Sequence, residues 1–184
     1  MKDKHTLMAL REGFLGRAVY KLKDIDKKFN LIKEGSKVLD LGCYPGSWVQ
    51  YLLTLNCDVY GIDLRDVKGL KFRFMKKDVY DDSIFEELKK DFDVIVSDLS
   101  PKITGIKELD YERSIDLCYR ALFIAKKVLK SNGNFLVKIF DSPGLKKYIS
   151  DVSKSFRYVK VYKPKASKKR SNETYVIAKS KHNL

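Results

Sequence analysis

Residues 37–48 read Lys-Val-Leu-Asp-Leu-Gly-Cys-Tyr-Pro-Gly-Ser-Trp. Val38, Leu39 and Leu41 suit a short buried strand, Gly42 and Gly46 punctuate a turn, and a helical stretch over Ser47–Leu55 follows. A glycine-bearing strand-to-helix turn lets backbone approach a ligand closely and aims helix amides at it, which points to a nucleotide-like ligand. The Gly-x-x-x-Gly spacing matches neither the dinucleotide GxGxxG nor the phosphate-binding loop, since no GK[ST] follows, and this lowers NAD and ATP as candidates. A tight turn of this kind needs glycine in any case, so the motif alone settles little.

Working outward, short β-branched runs alternate with helical periodicity, which predicts an α/β fold. A first helix is expected over Arg17–Phe29, where Ala18, Leu22, Ile25 and Phe29 fall on one stripe. Strands are expected at Lys37–Leu41, Val59–Leu64, Phe72–Lys76, Asp93–Asp98 and Asn134–Phe140. Helices are expected at Asp82–Lys90 and Tyr111–Leu129, the second closed by Asn132-Gly133. Pro143 suits the first turn of a helix ending near Ser153. Two last strands, Tyr158–Tyr162 and Thr174–Lys179, flank the segment KPKASKKRSNE, which has no apolar periodicity and therefore reads as a hairpin connection. Seven strands with the last antiparallel make a Rossmann-like doubly wound sheet of the class I methyltransferase kind, whose ligands bind beyond the carboxyl ends of the strands.

Strand ends are therefore where chemistry is expected. Asp63, in Gly61-Ile62-Asp63-Leu64, lies about twenty residues beyond the glycine turn and suits the two hydroxyls of a ribose. Asp78 is placed to accept from an adenine amino group, although a helix cap or a surface charge explains it equally well. Asp98 ends the apolar run Val94-Ile95-Val96-Ser97. Lys138 interrupts Phe135-Leu136-Val137-Lys138-Ile139-Phe140, and lysine is almost never buried unpaired, so a functional role is favoured over a snorkelling strand-end lysine.

The chain has 184 residues, about one domain, with a short basic N-terminal segment over residues 1–16. Its longest apolar runs are far below the ~20 residues needed to span a bilayer, which excludes a helical membrane protein. Lys and Arg number 38 against 24 Asp and Glu, a formal charge of +14, which favours RNA, DNA or another polyanion as partner. Cys43, Cys57 and Cys118 have no CxxC spacing, so neither a disulfide framework nor a zinc site is expected, and a cytoplasmic setting follows. The N-terminus lacks a signal-peptide core, and Asp3 and Glu12 make a transit peptide unconvincing; an organelle matrix or the nucleolus stays compatible.

Taken together, RAVYKL (Arg17–Leu22), DLGCYPGSW, GIDL, SDLSPKITG (Ser97–Gly105), FLVKIF and KPKASKKRSNETYVIA (Lys163–Ala178) resemble the FtsJ-type ribosomal RNA 2′-O-methyltransferases along essentially the whole chain. The resemblance implies S-adenosyl-L-methionine as cofactor, and a catalytic tetrad of Lys21, Asp98, Lys138 and Glu173. It implies cofactor contacts at Gly46, Trp48, Asp63, Asp78 and Asp98; the glycine turn adds Gly42, and no metal is expected. The chain departs from the family pattern at Gly16, Ser47 and Ser100, which bears on loop geometry and removes no charged group.

Methylation of a ribose 2′-hydroxyl requires a base and precise positioning. Lys138 is the candidate base; burial and a second ammonium at Lys21 favour its neutral form, whereas Asp98 and Glu173 oppose it. Lys163, Lys165, Lys168, Lys169 and Arg170 form an acid-free run beside Glu173 and are expected to contact phosphates, with Arg11 and Arg17 on the opposite bank. The expected substrate is a uridine of large-subunit ribosomal RNA, alone or in the subunit, bound by a monomer. Transfer RNA or messenger RNA cap methylation, a non-catalytic RNA-binding assembly factor and a small-molecule methyltransferase are the competing readings, the last disfavoured by the charge.

Overall fold

The computed structural model describes residues 4–89, 91–168 and 171–183. Among them are seven strands: β1 (Lys37–Leu41), β2 (Asp58–Asp63), β3 (Arg73–Lys76), β4 (Phe92–Ser97), β5 (Leu129–Phe140), β6 (Phe156–Tyr162) and β7 (Glu173–Lys181). They form one sheet in the order β3-β2-β1-β4-β5-β7-β6, with only β7 running against its neighbours. The chain leaves β1 toward β2 and β3, then returns to place β4 on the other side of β1. That reversal opens a crevice beyond the carboxyl ends of β1 and β4.

Both faces of the sheet are covered, which is why its strands read as nearly continuous apolar runs. On one face lie α4 (Ile84–Glu87), α5 (Lys107–Val128) and α6 (Leu145–Ser153); Cys118, Leu122, Ala125, Tyr148 and Val152 join Ile95, Phe135 and Val137 in one core. On the other lie α2 (Val19–Phe29) and α3 (Ser47–Thr54), whose Leu22, Ile25, Val49 and Leu52 pack on Val38, Val96 and Ile177. Asp26 fixes α2 there: its buried carboxylate accepts from the amides of Leu31 and Ile32 and from the Tyr51 hydroxyl.

The sequence reading differs from the structure in four places. The N-terminal segment contains a helix, α1 (Lys4–Arg11), that buries only Ala9 and so has no apolar stripe to announce it. Of the expected helix 82–90, Ile84–Glu87 is helical among the described residues, Lys90 lying outside them, and α5 begins four residues earlier than its apolar stripe suggests. Asn132-Gly133 does not close α5: β5 starts at Leu129, and between Leu129 and Asn134 the chain bulges away from β4. Asn132 there has φ 61°, and a Cβ on Gly133 would stand 2.7 Å from Leu129, so this kink requires glycine.

Candidate active site

The crevice contains a cavity of about 400 Å³ lined by the ends of β1, β2 and β4 and by the turn after β3. Gly42 leaves β1 at φ 80°, and a Cβ there would meet the Leu99 side chain at 2.9 Å and its backbone at 3.1 Å. The glycine therefore permits the strand to turn under the cavity wall. Asp63, Asp78 and Asp98 all line the cavity. One oxygen of Asp63 accepts from the Tyr44 amide at 2.9 Å and the other from the Arg65 amide at 2.9 Å, which fixes the carboxylate and leaves lone pairs for a ligand. Asp78 is exposed and caps the turn through the Tyr80 amide. At the rim, the Arg65 guanidinium stacks on Tyr44, 3.8 Å from the ring centroid.

Gly46 and Trp48 do not line this cavity. A Cβ on Gly46 would stand 2.8 Å from Leu70 and 2.9 Å from Val67, so this glycine seats the turn against the β2–β3 loop. Trp48 is buried, and its indole Nε1 donates to the carbonyl of Ala18 at 2.8 Å, tying α3 to the start of α2, the helix that carries Lys21.

Lys21, Asp98, Lys138 and Glu173 come together at the carboxyl edge, although they lie on α2, after β4, on β5 and on β7. Lys138 Nζ donates to the backbone carbonyl of Asp98 at 2.7 Å and stands 3.4 Å from its Oδ1. Lys21 Nζ pairs with Glu173 Oε1 at 2.6 Å. Tyr175, directly across the strand pair from Lys138, joins the two halves: its hydroxyl is 2.9 Å from Asp98 Oδ1 and 3.2 Å from Glu173 Oε1. Burial, with Asp98 and Glu173 adding to it, pushes the Tyr175 phenol far above its usual range, so it stays a donor at neutral pH. Burial alone would raise the Glu173 carboxyl, but the ammonium of Lys21 and the nearby Lys138 outweigh it and hold the group below the ordinary range. Two ammonium groups and two carboxylates thus balance in a half-closed site, which removes much of the cost of burying them.

Sequence reasoning assigned no role to Tyr175 or Asp40. Tyr175 had a signal in its spacing, two residues after Glu173 on the same face of a strand. Asp40, the penultimate residue of β1, is fully buried, and neither carboxyl oxygen has a hydrogen-bond partner among the described residues. Burial, followed by the fields of Asp98 and Asp63, which line the cavity, drives its carboxyl well above the normal range.

Of the expected phosphate contacts, Lys163, Lys165 and Lys168 are exposed on the β6–β7 connection, and Arg11 is exposed at the end of α1. Arg17 braces that connection, its guanidinium donating to the Ala166 carbonyl. Lys169 and Arg170 lie outside the described residues. No helix among the described residues is long and apolar enough to cross a membrane.

Comparison with known proteins gives a consistent picture. The FtsJ-like methyltransferase family model matches residues 14–181. The chain is 40% identical to ribosomal RNA large subunit methyltransferase E of Archaeoglobus fulgidus over 97% of its length and 95% of that protein. It is 36% identical to the protein of the same name from Wolbachia pipientis, again over 97% and 95%. Among solved structures, a ribosomal RNA methyltransferase from Plasmodium falciparum superposes with a TM-score of 0.83 at 26% identity, covering 93% of this chain and all of that one. The fold is also that of a Streptococcus mutans methyltransferase in complex with SAH, with a TM-score of 0.57 at 12% identity over 82% of this chain and 90% of that one.

Proposed function

Because the chain belongs to the FtsJ-like methyltransferase family, we propose that it methylates a ribose 2′-hydroxyl of large-subunit ribosomal RNA, at a uridine, working in the cytoplasm with S-adenosyl-L-methionine. The observation that carries this reading is the linked set Lys21–Glu173–Tyr175–Asp98–Lys138 beside a nucleoside-sized cavity. The cavity residues fit that cofactor: Asp63 for its ribose, Asp78 for its adenine amino group, and Asp98 toward the reacting end. Bound there, the cofactor supplies an electrophilic methyl group on a sulfonium.

A ribose hydroxyl is a poor nucleophile until its proton leaves, and Lys138 Nζ is the group that takes it. Asp98 holds Lys138 through two of its own atoms and so fixes the direction of approach. Lys21 and Glu173 hold the ribose, one donating and one accepting, and their mutual pairing keeps both rotamers fixed before RNA arrives. The exposed lysines of the β6–β7 connection hold phosphates on either side of the target.

The test is methyl transfer to ribosomal RNA extracted from cells lacking the gene, with 2′-O-methyl positions mapped with and without the protein. A new 2′-O-methyl uridine in the large-subunit RNA supports the reading. Binding of cofactor and RNA with no transfer overturns it in favour of a non-catalytic assembly factor.

A further inference from the structure

A second cavity, of about 310 Å³, opens between the first turns of α5 and the β5–α6 turn. We propose that it receives the unpaired base of a nucleotide flanking the methylated ribose, an inference that rests on the RNA methyltransferase reading above.

The cavity is joined to the tetrad through the chain. Asn172 precedes Glu173; its Nδ2 donates to the Tyr111 hydroxyl at 3.0 Å, and its carbonyl accepts from the Asp141 amide at 2.7 Å. Phe140, the cross-strand partner of Glu173, packs edge-on against Tyr111, with centroids 6.5 Å apart. The Lys21–Glu173 pair lies on the α2 side of β5 and β7, whereas Tyr111 lies on the α5 side. An RNA strand crossing this edge with one ribose at the tetrad would bring a neighbouring nucleotide over the second cavity.

The lining selects a base rather than a phosphate. Ile115 and Pro143 supply apolar wall, and Tyr111 supplies an aromatic ring whose hydroxyl is already held by Asn172. The Ser142 hydroxyl is buried with no hydrogen-bond partner among the described residues, a cost that a base edge would remove. Glu108 and Glu112 stand exposed at the rim, where they repel a phosphodiester and accept from exocyclic amino groups. Lys107, with Nζ 5.7 Å from the Tyr111 ring centroid, is the nearby cation for the adjoining phosphate. Flat, neutral and hydrogen-bonding is the description of a nucleobase stacked on an aromatic side chain.

The test uses the whole chain and a large-subunit ribosomal RNA fragment carrying 2-aminopurine at successive unpaired positions around the nucleotide mapped as above. The expected result is a fluorescence change at one flanking position. Tyr111→Ala abolishes it and weakens RNA binding by about ten-fold, the scale of one base–aromatic stack, while Tyr111→Phe retains it. Ser142→Leu, on the turn rather than the helix, fills the cavity and produces the same loss without altering α5. A signal at no position, or one unchanged in both Tyr111→Ala and Ser142→Leu, overturns the proposal. Methyl transfer is measured on the same RNA. Transfer without the Tyr111-dependent signal removes the subsite and leaves the enzyme, whereas the signal without transfer keeps the base site and removes the enzyme.

Discussion

Lys138 reaches Asp98 twice, by a 2.7 Å hydrogen bond to its backbone carbonyl and a 3.4 Å contact to its carboxylate. The shorter link does not depend on the Asp98 side chain. An Asp98 substitution therefore leaves Lys138 anchored, whereas a Lys138 substitution leaves the Asp98 carboxylate held by the Tyr175 hydroxyl.

Lys138→Ala is expected to lower kcat by about 10²–10⁴-fold, the usual contribution of a positioned general base, with S-adenosylhomocysteine affinity nearly unchanged because the role is exercised in the transition state. Single-turnover methyl transfer and calorimetric titration separate the two quantities. Asp98→Asn should lower both, since that carboxylate faces both the cavity and the lysine.

Asp63→Ala should weaken the cofactor by about 10- to 150-fold, the loss of hydrogen bonds to a charged acceptor worth roughly 1.5–3 kcal/mol. Part of that loss comes from releasing the Tyr44 and Arg65 amides that its carboxylate now organises. Titration with S-adenosylhomocysteine measures it, and wild-type affinity in the variant would remove Asp63 from the site.

Tyr175→Phe keeps the ring packing against Trp48, 6.1 Å away, and removes the one hydroxyl shared by Asp98 and Glu173. The expectation is a fall in kcat of at least ten-fold with the fold retained. The two carboxylates lose a shared donor while Lys21 and Lys138 keep their own pairs. A variant with full activity would show that the two halves of the tetrad work independently.

Much of this site was legible because each strand end carries a distinctive residue and alternating periodicity predicts a doubly wound sheet whose ligands sit beyond the carboxyl strand ends. Lys138 stood out as a charge within an apolar run, and Asp63 by its distance from the glycine turn. What stayed hidden depends on pairing across the chain. The Tyr175 hydroxyl gains meaning only where β7 lies beside β5 and brings it to Asp98, and the bond from Arg17 to the Ala166 carbonyl joins residues far apart in the chain. The β5 bulge was likewise hidden, because Asn132-Gly133 is as good a helix terminator as it is a kink, and only the register against β4 decides between them.

Asp40 makes stability depend on pH in a stated direction. Unfolded, its carboxyl ionises near pH 4; folded, burial keeps it protonated to much higher pH. A folded value raised above the unfolded one means that stability is fully present below about pH 4 and declines as pH rises. Asp40→Asn cannot ionise, so its melting temperature relative to wild type should climb steadily between pH 4 and pH 7. Thermal melts across that range check it, and a difference that does not change with pH would mean that Asp40 ionises normally in the folded protein.

The exposed lysines of the β6–β7 connection yield the last prediction. Reversing Lys163, Lys165 and Lys168 to glutamate should weaken RNA binding and flatten its salt dependence without touching the cofactor. Each phosphate contact on a single strand contributes about 0.7 to the slope of log affinity against log salt, so losing three flattens it by roughly 2. The fold should survive, because the connection is held by backbone contacts: Arg17 to the Ala166 carbonyl, and the Lys165 amide to Asp24 at 2.8 Å. The Lys163 ammonium bonds the Ser171 carbonyl at 2.7 Å, so that substitution is the one of the three that also loosens the connection. The double variant Lys165→Glu with Lys168→Glu is the cleaner measurement, with an expected change in slope near 1.4. If affinity and slope are both unchanged, the RNA runs instead along α1 past Arg11, and reversing Arg11 should then produce the loss.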